Sequence, residues 1–182
     1  MRTFHFTWTL LLFLALPGLV RSVSAQAQQV PPVPAAAPAS VGYTVFLRGT
    51  PIGHQDVMVR SDAQGLVISG QGQIAAPINV ITRRVELRYG PNLDPQSLAV
   101  EARVGDVEIT LNTAFDNGSA VSKGMQGPTP IEATDMVAPL TLLMPNVFLG
   151  SHAVLARRLG GEAPGTELKA FVGPGPGAQV VL

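Results

Sequence analysis

From Tyr43 onward, apolar and polar residues alternate with a period of two. Tyr43, Val45 and Leu47 share one face, and Val57 and Val59 form the next short set. Val85, Leu87 and Tyr89 alternate with Arg84, Glu86 and Arg88. Leu98, Val100, Ala102 and Val104 alternate with Ala99, Glu101 and Arg103. Val107, Ile109, Leu111 and Phe115 alternate with Glu108, Thr110 and Asn112. Successive side chains of a strand point to opposite faces, so this pattern predicts half-buried antiparallel strands. The punctuation agrees. Gly105-Asp106 suits a two-residue turn that starts with glycine, and Asn117-Gly118 suits one needing positive φ at both central positions. Asp62-Ala63-Gln64-Gly65 predicts a longer hairpin loop, Gly90-Pro91-Asn92 breaks the chain again, and Gly70 and Gly72 predict a bulge or bend. Strands recur about every ten residues, with no βαβ alternation and no fixed repeat. The fold expected over residues 41–172 is mainly β: a curved antiparallel β-meander, half-barrel-like, with one C-terminal helix.

That helix is expected over 146–160. Pro145-Asn146 offers a start, with Asn146 as N-cap. Phe148, Ser151, His152, Leu155 and Leu159 fall on one face. Arg157 and Arg158 suit the negative end of the helix dipole, and Gly160-Gly161 stops the helix. A final strand, Glu167 to Val172, puts Leu168, Ala170 and Val172 on one side. Residues 173–182 read as a flexible or aberrant tail. Gly173-Pro174-Gly175-Pro176-Gly177 precedes an apolar run that ends the chain, and an unpaired apolar edge invites aggregation. The expectation is therefore a domain truncated or diverted after about Val172, with a natural flexible tail as the alternative.

The N-terminus has a different pattern. Arg2, an apolar run from Leu10 to Leu16, Pro17-Gly18 and the small residues Val23-Ser24-Ala25 make the three-part layout of a secretory signal peptide over 1–25. The apolar core is short for a membrane span and is broken by Pro17-Gly18, so cleavage is preferred over a retained anchor, and no stable span is expected afterwards. Residues 26–40 (QAQQVPPVPAAAPAS) read as a Pro/Ala-rich disordered linker. The protein is expected to be exported, periplasmic or extracellular.

Composition narrows the chemistry. The chain has 182 residues, 12 Lys+Arg against 12 Asp+Glu, and no Cys. A neutral chain without a basic run lacks the phosphate-neutralising charge that nucleic-acid binding needs. Without Cys there is no disulfide scaffold, zinc ribbon, thiol nucleophile or lipid-modified N-terminal Cys. No Gly-x-Ser-x-Gly, His-Glu-x-x-His or Gly-x-x-x-x-Gly-Lys-Ser/Thr motif is present. Beyond the leader only His54 and His152 remain. Ser151 or Ser122 with either histidine and Asp135 spells a triad only in residue types, so no catalytic residue is assigned and no metal or cofactor is expected. Asp106 and Glu108, on one face after a turn, read as a solvated pair facing Arg103.

A ligand-binding role has more to stand on. Arg83 shares strand parity with Ile81, Val85, Leu87 and Tyr89, so it is expected to face the apolar side. There a guanidinium needs a carboxylate, Asp135 or Glu132, or a bound anionic head group. The alternatives are snorkelling at a strand end or a bulge that reverses the parity. Met136, Leu140, Leu142, Leu143 and Met144 form an apolar patch before the helix. Such a patch either lines a hydrophobic groove or plugs the open end of a curved sheet. The candidate ligand-binding residues are Arg83, Met136, Leu140, Leu143, Met144, Phe148 and His152. The expected partners are an apolar small molecule or lipid, or an envelope protein.

The runs Tyr43–Gly53, Ile81–Tyr89 and Pro139–Asn146, continued by Leu155–Leu159 and Gly165–Leu168, resemble the N-terminal non-catalytic β domain of exported alpha/beta-hydrolase-like proteins. More distantly, the chain is similar to uncharacterised periplasmic β-meander proteins and lipoprotein-carrier half-barrels. The resemblance implies an exported, non-enzymatic β domain that binds an apolar ligand or supports a partner domain. Its alternative implication is a truncated accessory domain of a secreted hydrolase, inert alone. The elbow serine of those hydrolases, its acid and its histidine have no matching positions here.

Overall fold

The computed structural model describes residues 38–182. The expected leader and residues 26–37 of the expected linker lie outside them. Ala39 and Ser40, expected as the end of that linker, open the first strand.

Eight strands follow one another in space as they do in sequence: β1 (Ala39–Leu47), β2 (Thr50–Asp62), β3 (Gly65–Ile74), β4 (Val80–Tyr89), β5 (Pro95–Val104), β6 (Val107–Asp116), β7 (Ser119–Gln126) and β8 (Thr129–Met136). All neighbours pair antiparallel, and β1 and β8 are the edges of an open sheet. The predicted turns are in place. Asn117 and Gly118 both take positive φ, 47° and 77°, and Gly105 opens its turn at 58°. The Asp62–Gly65 connection is tighter than expected. Asp62 and Gly65 already pair, and Asp62 Oδ1 accepts from Gln64 N at 2.9 Å.

The C-terminal segment covers the inner face of this sheet. β9 (Leu142–Leu143) runs parallel to β10 (Lys169–Phe171), and β11 (Gln179–Val181) pairs antiparallel with β10. The segment read from sequence as a tail thus supplies a strand and gives the apolar ending a neighbour. It is pinned sideways as well. Gln179 Oε1 accepts from Ala138 N at 3.2 Å, its amide nitrogen donates to Met136 O, and Asp135 Oδ2 accepts from Gly175 N at 3.1 Å.

The helix is shorter than predicted. A 3-10 turn, Leu149–Ser151, leads into α1 (His152–Leu159). Residues 146–148 are not helical: Val147 has φ 57° and Phe148 is extended, and neither helical stretch has a side-chain cap. Long-range bonds override the local signal here. The buried Gln55 amide of β2 donates to Val147 O and accepts from Leu149 N at 2.9 Å, holding the backbone open so that Phe148 drops onto the sheet. The expected helix face is also corrected. Ser151 and Val154 point into the core, whereas His152 and Leu159 are exposed.

The core is one cluster across both regions. Val57, Leu66, Ile68, Val85, Leu87, Leu98 and Leu111 of the sheet meet Leu142, Leu143, Phe148, Val154, Ala170 and Phe171. The rings of Phe115 and Phe171 meet edge to face at 5.2 Å. Each buried Val, Leu, Ile or Phe among them contributes about 1.5–3 kcal/mol. Two buried hydrogen bonds tie polar side chains into this region: Tyr89 Oη accepts from Leu143 N at 2.7 Å, and Thr113 Oγ1 and Ser122 Oγ share a bond of 2.8 Å, whereas the buried Ser151 Oγ has no partner among the described residues. Burial pushes the Tyr89 phenol above its ordinary pKa.

Candidate functional site

Phe148 organises the region. Its ring lies against Gly70 of β3, where an added Cβ would come within 2.7 Å of Cε2, and against Gly150, where it would come within 2.5 Å of Cζ. Glycine at 70 therefore serves close packing as well as the predicted irregularity. With Phe148 down, the residues around it leave a groove of 210 Å³ between the 144–149 segment and β11. Its walls are Met144, Pro145, Val147, Phe148, Leu149, Val172, Val180 and Leu182, with His152 and Asn146 at the rim. A second depression of 360 Å³ shares Met144, Asn146 and Val172 and runs on along Gly173–Ala178. The alternation along β11 turns Val180 and Leu182 to the same side. His152 Nδ1 lies 3.0 Å from Leu149 O, so Nδ1 carries the proton and donates.

Three of the seven sequence-selected residues meet in this groove: Met144, Phe148 and His152. The other four lie elsewhere. Leu143 is in the core, its amide bonded to Tyr89. Met136, at the end of β8, is 76% exposed. Leu140 borders a different hollow, beside Pro95, Phe115 and Asn117, with its carbonyl bonded to Arg158 Nη2 at 3.2 Å. Arg83 is on the outer face. It is the additional residue of a β4 bulge: Thr82 pairs with Ala102 and Arg84 with Glu101, leaving Arg83 unpaired. The bulge reverses the parity, so Arg83 reaches neither Asp135 nor Glu132. It forms a two-pronged pair with Glu108, both N–O distances 2.7 Å. That bonding holds the Glu108 carboxyl below, and the Arg83 guanidinium above, their ordinary pKa values. Glu108 also faces Arg103 across β5–β6, as expected.

The residue types that spell a triad are dispersed. Ser122 is hydrogen-bonded to Thr113 inside the sheet, and Asp135 is bonded to the 175 amide. His54 lies on the opposite parity from the buried Gln55 and Val57, facing outward. Among the described residues, no three His, Asp or Glu side chains are grouped to hold a metal ion, and no helix is long and apolar enough to cross a membrane.

Sequence reasoning missed β11 as the groove's far wall and Gln55 as the clamp behind it. The signal for Gln55 was available: it shares parity with Val57 and Val59, so a polar group sits where the pattern calls for an apolar one. No family model matches the chain, and no curated protein or solved structure matches it.

Proposed function

We propose that the protein is an exported, non-enzymatic β domain that holds an apolar ligand, such as an acyl chain, in the groove between the 144–149 segment and β11. The observation that carries this reading is the lining itself. Met144, Phe148, Val172, Val180 and Leu182 offer an apolar wall, with His152 and the Asn146 side chain as polar groups at the rim. This is the usual division of labour in a small-molecule site, where apolar walls supply affinity and a few polar groups fix orientation. Methionine adapts its shape to a flexible chain. Export follows from the leader layout, and the resemblance to hydrolase-associated β domains fits a domain that binds rather than turns over.

Displacement of 1-anilinonaphthalene-8-sulfonate by dodecanoate tests it. Dodecanoate is expected to displace the dye from the native chain. Val180→Glu places a carboxylate in the groove at a position already 38% exposed. It is expected to weaken dodecanoate by at least about tenfold, with the circular dichroism spectrum unchanged. Equal displacement from both proteins overturns the groove assignment. Reproducible hydrolysis of a fluorogenic ester by the native chain overturns the non-enzymatic part.

A further inference from the structure

The two edges of the eight-stranded sheet are built differently. β8 carries Pro130, Glu132 and Asp135, the features by which an exposed edge resists pairing: a missing N–H donor and charge. β1 has none of them. Its nine residues, ASVGYTVFL, contain no charged side chain and no proline. Its register against β2 is unbroken from Ala39↔Val59 to Val45↔Gly53, so the free edge is regular over that run. It is also apolar: Val41 is 44% and Phe46 60% exposed. Among the described residues, no strand pairs with the outer side of β1, and the strand itself carries no charge that would repel one.

We propose that β1 is a self-association edge, on which the β1 strand of a second copy of this chain pairs antiparallel about a two-fold axis. The charge pattern selects this occupant. A two-fold axis sets each residue type near its own copy, so a charged edge such as β8 would oppose carboxylate to carboxylate, whereas β1 opposes neutral to neutral. The same symmetry keeps faces together. Val41, Tyr43 and Val45 of the two copies meet on one side, and Thr44 and Phe46 on the other. One strand pair is a small interface, so the dimer dissociates on dilution. This inference concerns a surface separate from the groove and does not depend on the groove being occupied.

The two-fold axis gives the test a sharp signature. Facing residues in an antiparallel pair must lie on the same side, so one residue of β1 faces its own copy. Its two Cα atoms lie about 4.5–5.5 Å apart, within disulfide reach, while a residue one step away is separated from its copy by roughly 8 Å. The chain has no cysteine, so single-cysteine variants at each of positions 41–45 report independently. Sedimentation velocity across about 1–300 µM is expected to show a monomer–dimer equilibrium in the purified native chain. Val41→Lys and Thr44→Lys are expected to weaken it at least about tenfold, with unchanged thermal unfolding, and Thr44→Val is expected to retain it. Mild oxidation is expected to cross-link one of the five cysteine variants far more than the rest. A chain that stays monomeric throughout, a dimer indifferent to both lysines, or equal cross-linking at all five positions overturns the proposal.

Discussion

The meander of β1–β8 and the segment from Val137 to Leu182 share one core but are specified in different ways. In the meander, each strand pairs with its sequence neighbours through connections of two to five residues, and alternation sets which side chains turn inward. In the C-terminal segment, the strands have two or three residues and the helix eight. Elements that short are marginal alone. They are placed by distant partners: Gln55 holds residues 147–149, Tyr89 holds Leu143, and Phe115 meets Phe171 edge to face. The difference teaches that the candidate groove is a tertiary product. Its walls belong to the segment, but the backbone that shapes them is fixed by the sheet.

The largest expected break is at the shared core. Phe171 is fully buried between the two regions. Phe171→Ala removes an aromatic ring and leaves a cavity, an expected loss of about 3–5 kcal/mol in denaturant unfolding. Because the core is continuous, the tyrosine fluorescence, to which Tyr89 bonded to Leu143 contributes, and the far-ultraviolet circular dichroism transitions are expected to move together. If the circular dichroism midpoint stays while β9–β11 melt, the two regions are independent folding units.

A finer break targets one clamp. Gln55→Ala leaves Val147 O and Leu149 N without their buried partner, at about 1–3 kcal/mol for each group that stays dry. The expected result is local. Hydrogen exchange at residues 147–152 accelerates while β4–β6 keep their protection, and dodecanoate displaces the dye less well than from the native chain. Uniform acceleration over the whole chain would mean that the clamp supports the sheet as much as the segment.

The same contrast explains what could be read in advance. The Asn117-Gly118 and Gly105-Asp106 turns and the inward rows Leu98–Ala102 and Ile109–Phe115 were legible because turn chemistry and period two are local. The glycine pair at 70 and 72 marked the irregularity in β3, but its effect fell on β4, where Arg83 is extruded and the parity reverses. Counting residues along one strand cannot place a bulge that depends on its neighbours. The helix start failed for a related reason. Asn146 has the right chemistry for a cap, but Gln55, nearly a hundred residues away, binds the backbone that the helix needed. β11 was illegible because three residues hold too few alternations to show a period.

The smallest expected effect lies on the outer face, away from the groove. Glu108 is exposed, and its pair with Arg83 is screened by water and salt. The hydrogen bond from Arg83 lowers the Glu108 pKa in the folded chain below its unfolded value. A depressed carboxyl contributes stability that is fully present above its unfolded pKa and is lost as pH falls through its folded one. Glu86 behaves alike: burial acts to raise its carboxyl, but the bonds from Arg84 at 3.1 Å and Arg88 at 2.6 Å outweigh it. Native stability is therefore expected to fall slightly on acidification through the carboxylate range, and Glu108→Gln is expected to flatten part of that slope while barely changing the midpoint at pH 7. Dodecanoate binding is expected to be the same in both proteins. If Glu108→Gln alters binding, the outer face and the groove are coupled, and the sheet does more than provide a fixed floor for the segment that packs on it.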